Sequence, residues 1–342
     1  MLSFDANGFP LWIAILWLIV AVVRLMNTGR KIHPFDRKAT VPLRGALAVL
    51  VVLGHLKAHC PWATTWLPWV GWQTPAVSVF FFVSGYGLCK GFAAKGGEYL
   101  SGFVARSLGK LLRGLVPVVV VYSLWLQTQG RFVPLFLKFW QDGNTPVPNT
   151  WYVYALLLMY VLWWMSWRLL RHPVIRLASL WAGVLIYFCV MEFVLDWNFV
   201  WARTILAFPI GATIAVNERK ILAAIDQRPL KVYFSVLVAL ALAIVIRSSI
   251  PCGIVAIAGR GLTSTLGIFV ILTWYAVPLP DLKALRFLGN ISYELYLVHG
   301  VVIAFAFPLL RRGFAGFAFV VLVTSIALAS VLNRVTNARA KC

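Results

Sequence analysis

The stretch Val41-Pro42-Leu43-Arg44-Gly45-Ala46-Leu47-Ala48-Val49-Leu50-Val51-Val52-Leu53-Gly54-His55 decides how the chain is read. Between Arg44 and His55 every side chain is apolar or absent. The run reads as a transmembrane helix. At about 100° and 1.5 Å per residue, Arg44 and His55 share a face and lie about 16 Å apart along the axis. Arg44 then sits at the mouth of the span and His55 deep within it. A polar side chain at that depth is costly, and it marks function or a bond to a neighbouring helix.

The rest of the composition agrees. Of 342 residues, 61% are hydrophobic and 12% charged. Ordinary soluble domains carry about 25% charged residues. The net charge is +21, from 31 Lys and Arg against 10 Asp and Glu. Such an excess suggests nucleic acid only in a soluble protein, and this chain has too few polar residues to cover a soluble surface. Disorder is excluded by the apolar content. A disulfide scaffold is excluded by 5 cysteines scattered along the length.

Apolar runs recur at 9–23, 41–59, 73–88, 111–127, 151–167, 177–195, 199–216, 232–246, 262–277, 291–310 and 314–332. The expectation is an all-α polytopic transmembrane bundle of about eleven spans. The first run follows Asp5 and lacks a small-residue cleavage site, so it reads as a short span and not a signal peptide. Alternation gathers most Lys and Arg on one side, among them Arg44, Lys90, Arg106, Lys110, Arg168, Arg219, Lys283, Arg286 and Arg334. That side is expected in the cytoplasm, with the N-terminus outside and the C-terminus inside. On the other side, Trp62, Trp66, Trp69 and Trp72 form one face, either an interfacial belt or a stacking surface for a sugar. Residues 128–150 read as the longest outer segment, either a partly ordered loop over a site or a connector.

Other polar groups punctuate the apolar runs. Ser84 and Gly85 lie within Phe80-Phe81-Phe82-Val83-Ser84-Gly85-Tyr86-Gly87, where glycines permit close approach. Arg106, Lys110 and Arg113 share a face ahead of Pro117, and would bind phosphates or anionic lipid. Ser292, Tyr296 and His299 form a polar stripe, with Glu294 off it. Glu192 and Arg203 read as an ion pair closing a hairpin. His55 and His59 have the i, i+4 spacing of a metal-binding helix, but no third ligand is well placed, so no metal is expected.

Three of these motifs, in this order, resemble the membrane acyltransferase family 3, bacterial multi-span enzymes that modify cell-envelope and exported glycans. They are Arg44-Gly45 with His55, Phe80 to Tyr86, and Ile291-Ser292-Tyr293 to Tyr296-Leu297-Val298-His299. Lys110 and Arg113 before Pro117 form a weaker fourth, since the family more often has Arg first and one residue fewer before the Pro. Arg203, Phe208 and Gly211 also fit the family habit. The resemblance covers about residues 40–332. It implies a ten-helix acyltransferase domain over 40–342, with an additional span and basic linker in 1–39.

The resemblance further implies a bacterial inner-membrane O-acyltransferase. Its co-substrate is acyl-CoA, commonly acetyl-CoA, and no cofactor is held permanently. Its acceptor is a glycan or lipid-linked glycan outside, its surroundings are membrane lipids, and nucleic acid has no part. His55 and Arg44 match the residues to which catalysis is attributed. Arg106, Lys110, Arg113, Ser84 and Gly85 are candidates for acyl-CoA binding. Tyr86, Tyr296, His299, Arg203 and Glu192 are candidates for orienting the base or meeting the acceptor. A multi-pass exporter of a small anion or glycan precursor is the alternative, although no inverted repeat of Gly- or Pro-broken helices is visible.

Overall fold

The computed structural model describes residues 35, 37–58, 73–145, 147–195, 197, 200–228, 231–232, 234–236, 238–239 and 283–338. The expected spans at 9–23 and 262–277, most of 232–246, and the Trp62–Trp72 face lie outside these residues. Among them the structure is helical, with no strand. Five helices are long and apolar enough to cross a membrane. The chain is an all-α bundle of the membrane-spanning kind.

In chain order the helices are α1 (Arg37–Ala58), α2 (Gln73–Ser101), α3 (Gly109–Thr128), α4 (Phe132–Asp142), α5 (Trp151–Leu169), α6 (Pro173–Cys189), α7 (Val200–Arg203), α8 (Ala207–Val216), α9 (Glu218–Gln227), α10 (Lys283–Asn290), α11 (Ser292–Ala306) and α12 (Phe314–Ala338). π-helical turns at Val104–Leu108 and Val190–Val194 precede α3 and follow α6. The run at 199–216 holds two helices, α7 and α8, with a turn at residues 204–206 between them.

Lipid supplies no hydrophobic drive for helices to associate, so close packing through small residues does this work. One close crossing joins α2 to α8. A Cβ on Gly85 would lie 2.1 Å from the Phe208 carbonyl oxygen, and one on Gly211 2.1 Å from that of Phe82. Backbone therefore meets backbone. α1 and α10 meet in the same way, Gly45 against the Leu285 carbonyl and Gly289 against that of Val41. α11 runs through the middle, buried along most of its length. It is tied to α3 by a 2.6 Å bond from the Tyr293 hydroxyl to the Leu111 carbonyl.

Residues 128–150, expected as a loop or connector, contain the helix α4. Its turns carry Val133, Phe136, Leu137 and Trp140 on an exposed apolar face. Phe139 packs inward against Trp197 and Trp201. Gly143, at φ +74, terminates the helix in the left-handed conformation. The helical period is plain in the sequence, but Arg131, Lys138 and the flanking Gly and Pro made the segment look like a loop.

The contacts gather the basic segments at one end. Lys90 of α2 pairs with Glu218 at the start of α9. Arg176 at the start of α6 lies over the Phe92 ring. The Asn333 side chain near the end of α12 reaches the Asn290 carbonyl at the end of α10.

Candidate active site

A cavity of about 910 Å³ opens at this basic end between α1, α2, α3, α5 and α11. Arg44, Lys90, Arg106 and Lys110 line it, together with one carboxylate, Glu218. Hydroxyl groups come from Thr40, Ser84, Ser107 and Ser292, and aromatic walls from Tyr86, Tyr99, Tyr152, Tyr160, Tyr293 and Tyr296. The combination suits a ligand with an anionic head and a longer, mostly uncharged body.

Tyr296 connects the cavity to the histidines. Its ring packs 4.9 Å from Tyr152 and 5.4 Å from His299. Its hydroxyl donates to the Asn149 carbonyl at 2.6 Å. Asn149 has φ +64 and is the non-glycine residue with a left-handed backbone among those described. His299 is fully buried, and its Nδ1 lies 2.6 Å from the Tyr296 carbonyl oxygen. The His55 ring, on α1, lies 5.1 Å from that of His299. Two helices distant in sequence thus bring their single deep histidines into contact.

The other expected residues fall in several places. Ser84 lines the cavity, whereas Gly85 next to it faces α8. Arg106 and Lys110 line the cavity; Arg113 is half-buried beside them and is not among the lining residues. The Arg106 guanidinium donates to the Tyr99 carbonyl at 2.9 Å and packs over the Tyr99 ring. It therefore satisfies carbonyl groups at the end of α2. Glu192 is half-buried in the π turn after α6, and the side chain of Arg203 lies outside the described residues. Glu294 is buried, and its Oε2 makes no hydrogen bond among the described residues. No group of three His, Cys, Asp or Glu capable of holding a metal occurs among them.

Tyr86 stands at the basic end. Its hydroxyl donates to Glu218 Oε1, and Lys90 Nζ donates to Glu218 Oε2 at 2.6 Å. The sequence does not reveal this cluster: Lys90 reads only as one of the topology-setting cations, and Glu218 lies far away in the chain. Two signals were available: Tyr86 and Lys90 are one turn apart, and carboxylates are scarce, 10 against 31 cations.

The family model described as an acyltransferase domain, acyltransferase family 3, matches residues 43–334. The chain belongs to that family, and it is a membrane acyltransferase. No curated protein and no solved structure matches it.

Proposed function

We propose that the protein is an O-acyltransferase of the bacterial inner membrane, moving an acyl group, acetyl by default, from cytoplasmic acyl-CoA to a glycan hydroxyl outside. The acceptor is a surface glycan or its lipid-linked precursor. The N-terminus is outside and the C-terminus in the cytoplasm, in keeping with the basic segments at one end.

The observation that carries this reading is the run of contacts from the basic cavity to the histidine pair. Arg44, Lys90, Arg106 and Lys110 offer positive charge to the CoA nucleotide. The uncharged pantetheine arm suits the aromatic and hydroxyl-bearing walls. Tyr296, which lines the cavity, touches His299, which touches His55. With the nucleotide at Arg44, an arm extending along α1 brings the thioester toward His55, about 16 Å away. His55 then acts as general base on the acceptor hydroxyl, or in the main variant carries the acyl group itself.

Purified protein given acetyl-CoA is expected to release CoA, faster when cell-envelope glycan is present. His55→Ala should lower that rate by about 100-fold or more, with an unchanged melting temperature. A folded His55→Ala protein of full activity would overturn the assignment. Flux of a small anion or glycan precursor through proteoliposomes, without CoA release, would favour the exporter.

A further inference from the structure

The histidine pair contains a nitrogen with a defined state and no assigned task. His299 Nδ1 faces the Tyr296 carbonyl oxygen at 2.6 Å. A carbonyl oxygen can only accept, so Nδ1 carries the ring proton. In the neutral ring Nε2 is then a bare lone pair. It is buried, in a residue 0% exposed, and has no hydrogen-bond partner among the described residues. A buried acceptor without a donor is costly, and proteins seldom retain one without a use. The site thus presents an acceptor for an incoming O–H, beside the His55 ring at 5.1 Å. His55 is partly exposed, which gives a substrate access to the pair from its side.

We propose that the two histidines divide the transfer: His55 carries the acyl group and His299 Nε2 takes the proton of the acceptor hydroxyl. This rests on the function proposed above and selects the covalent form of its mechanism. First, a nitrogen of His55 attacks the thioester carbonyl carbon. The C–N bond forms, the C–S bond breaks, and CoA departs as thiolate, gaining the proton that the acylated imidazolium sheds. Then the acceptor oxygen attacks the acyl carbon while its proton passes to His299 Nε2. The C–O bond forms, the C–N bond breaks, and the electron pair returns to His55. The new His299 imidazolium gives its Nε2 proton to that nitrogen, across adjoining rings. Both histidines end neutral, with His299 Nδ1 still bonded to Tyr296. His299 is then a catalytic base.

The test uses full-length protein and acetyl-CoA labelled in the acetyl group, with water or hydroxylamine as acceptor. In the wild type, a burst of CoA release should leave label on His55, located by mass spectrometry after quenching, and water should slowly discharge it. His299→Gln should keep the burst but discharge to water at least tenfold more slowly, so that label accumulates. Hydroxylamine, a strong nucleophile needing little help from a base, should restore discharge. His55→Ala should show neither burst nor label. Normal water discharge in His299→Gln would overturn the proposal. So would wild-type CoA release with no acetylated His55 in the quenched protein, a result independent of whether any variant folds. A wild type that releases no CoA would instead overturn the proposed function, and this inference with it.

Discussion

Glu218 is the residue whose charge runs against its surroundings. It lines the same cavity as Arg44, Arg106 and Lys110 and holds Lys90 and Tyr86 directly. While it neutralises Lys90, it also lowers the attraction of the cavity for an anionic donor. Glu218→Gln is therefore expected to reduce the KM for acetyl-CoA, by about fivefold if the pair has the strength usual for partly exposed charges. Lys90→Ala should raise it by a similar factor. Steady-state kinetics on the two variants and their combination would check both directions, and equal shifts of the same sign would contradict them. At this scale the sequence revealed the deep histidines because a polar residue inside an apolar run is visible by itself. It did not reveal Glu218, whose meaning depends on a partner in another helix.

Among the helices, α2 shows how much half a turn can separate. Gly85 meets the α8 backbone, while a Cβ on Gly87 would meet nothing within 4 Å. Gly85→Val is expected to destabilise the protein by about 1–3 kcal/mol, as overpacked contacts do. Gly87→Ala should leave stability nearly unchanged. Thermal unfolding in detergent compares them, and similar losses in both would refute the α2–α8 contact. The sequence identified Ser84-Gly85-Tyr86-Gly87 as a place of close approach but could not say which glycine packs and which lies open. Two positions on a helix are about 200° apart, and only the neighbouring helix defines the inside. The same limit applied to Arg106. Its spacing from Lys110 and Arg113 predicts a shared face, but only the neighbouring helices decide that Arg106 and Lys110 line the cavity and that Arg113 does not.

Across the whole molecule, the apolar content and the one-sided placement of cations already defined an all-helical membrane bundle. Four of the cations behind the +21 charge, Arg44, Lys90, Arg106 and Lys110, line the cavity. The KM for acetyl-CoA should accordingly rise between about 50 and 300 mM salt as the attraction is screened. The discharge of acylated protein by hydroxylamine, which is uncharged, should change little. A donor KM insensitive to salt would mean that these cations serve topology alone.

The backbone contact between α2 and α8 also constrains how such an enzyme could diversify. Where α2 crosses α8 there is no side chain to trim, so α2 cannot recede from the cavity. Toward the cavity it offers Phe80, Val83, Tyr86 and Leu88 beside the small Ser84 and Gly87, and α5 presents Tyr152, Leu156 and Tyr160. A lineage that turns to a bulkier ligand therefore finds room by shortening side chains such as Phe80 of α2 or Tyr152 of α5, and not by moving the helices apart.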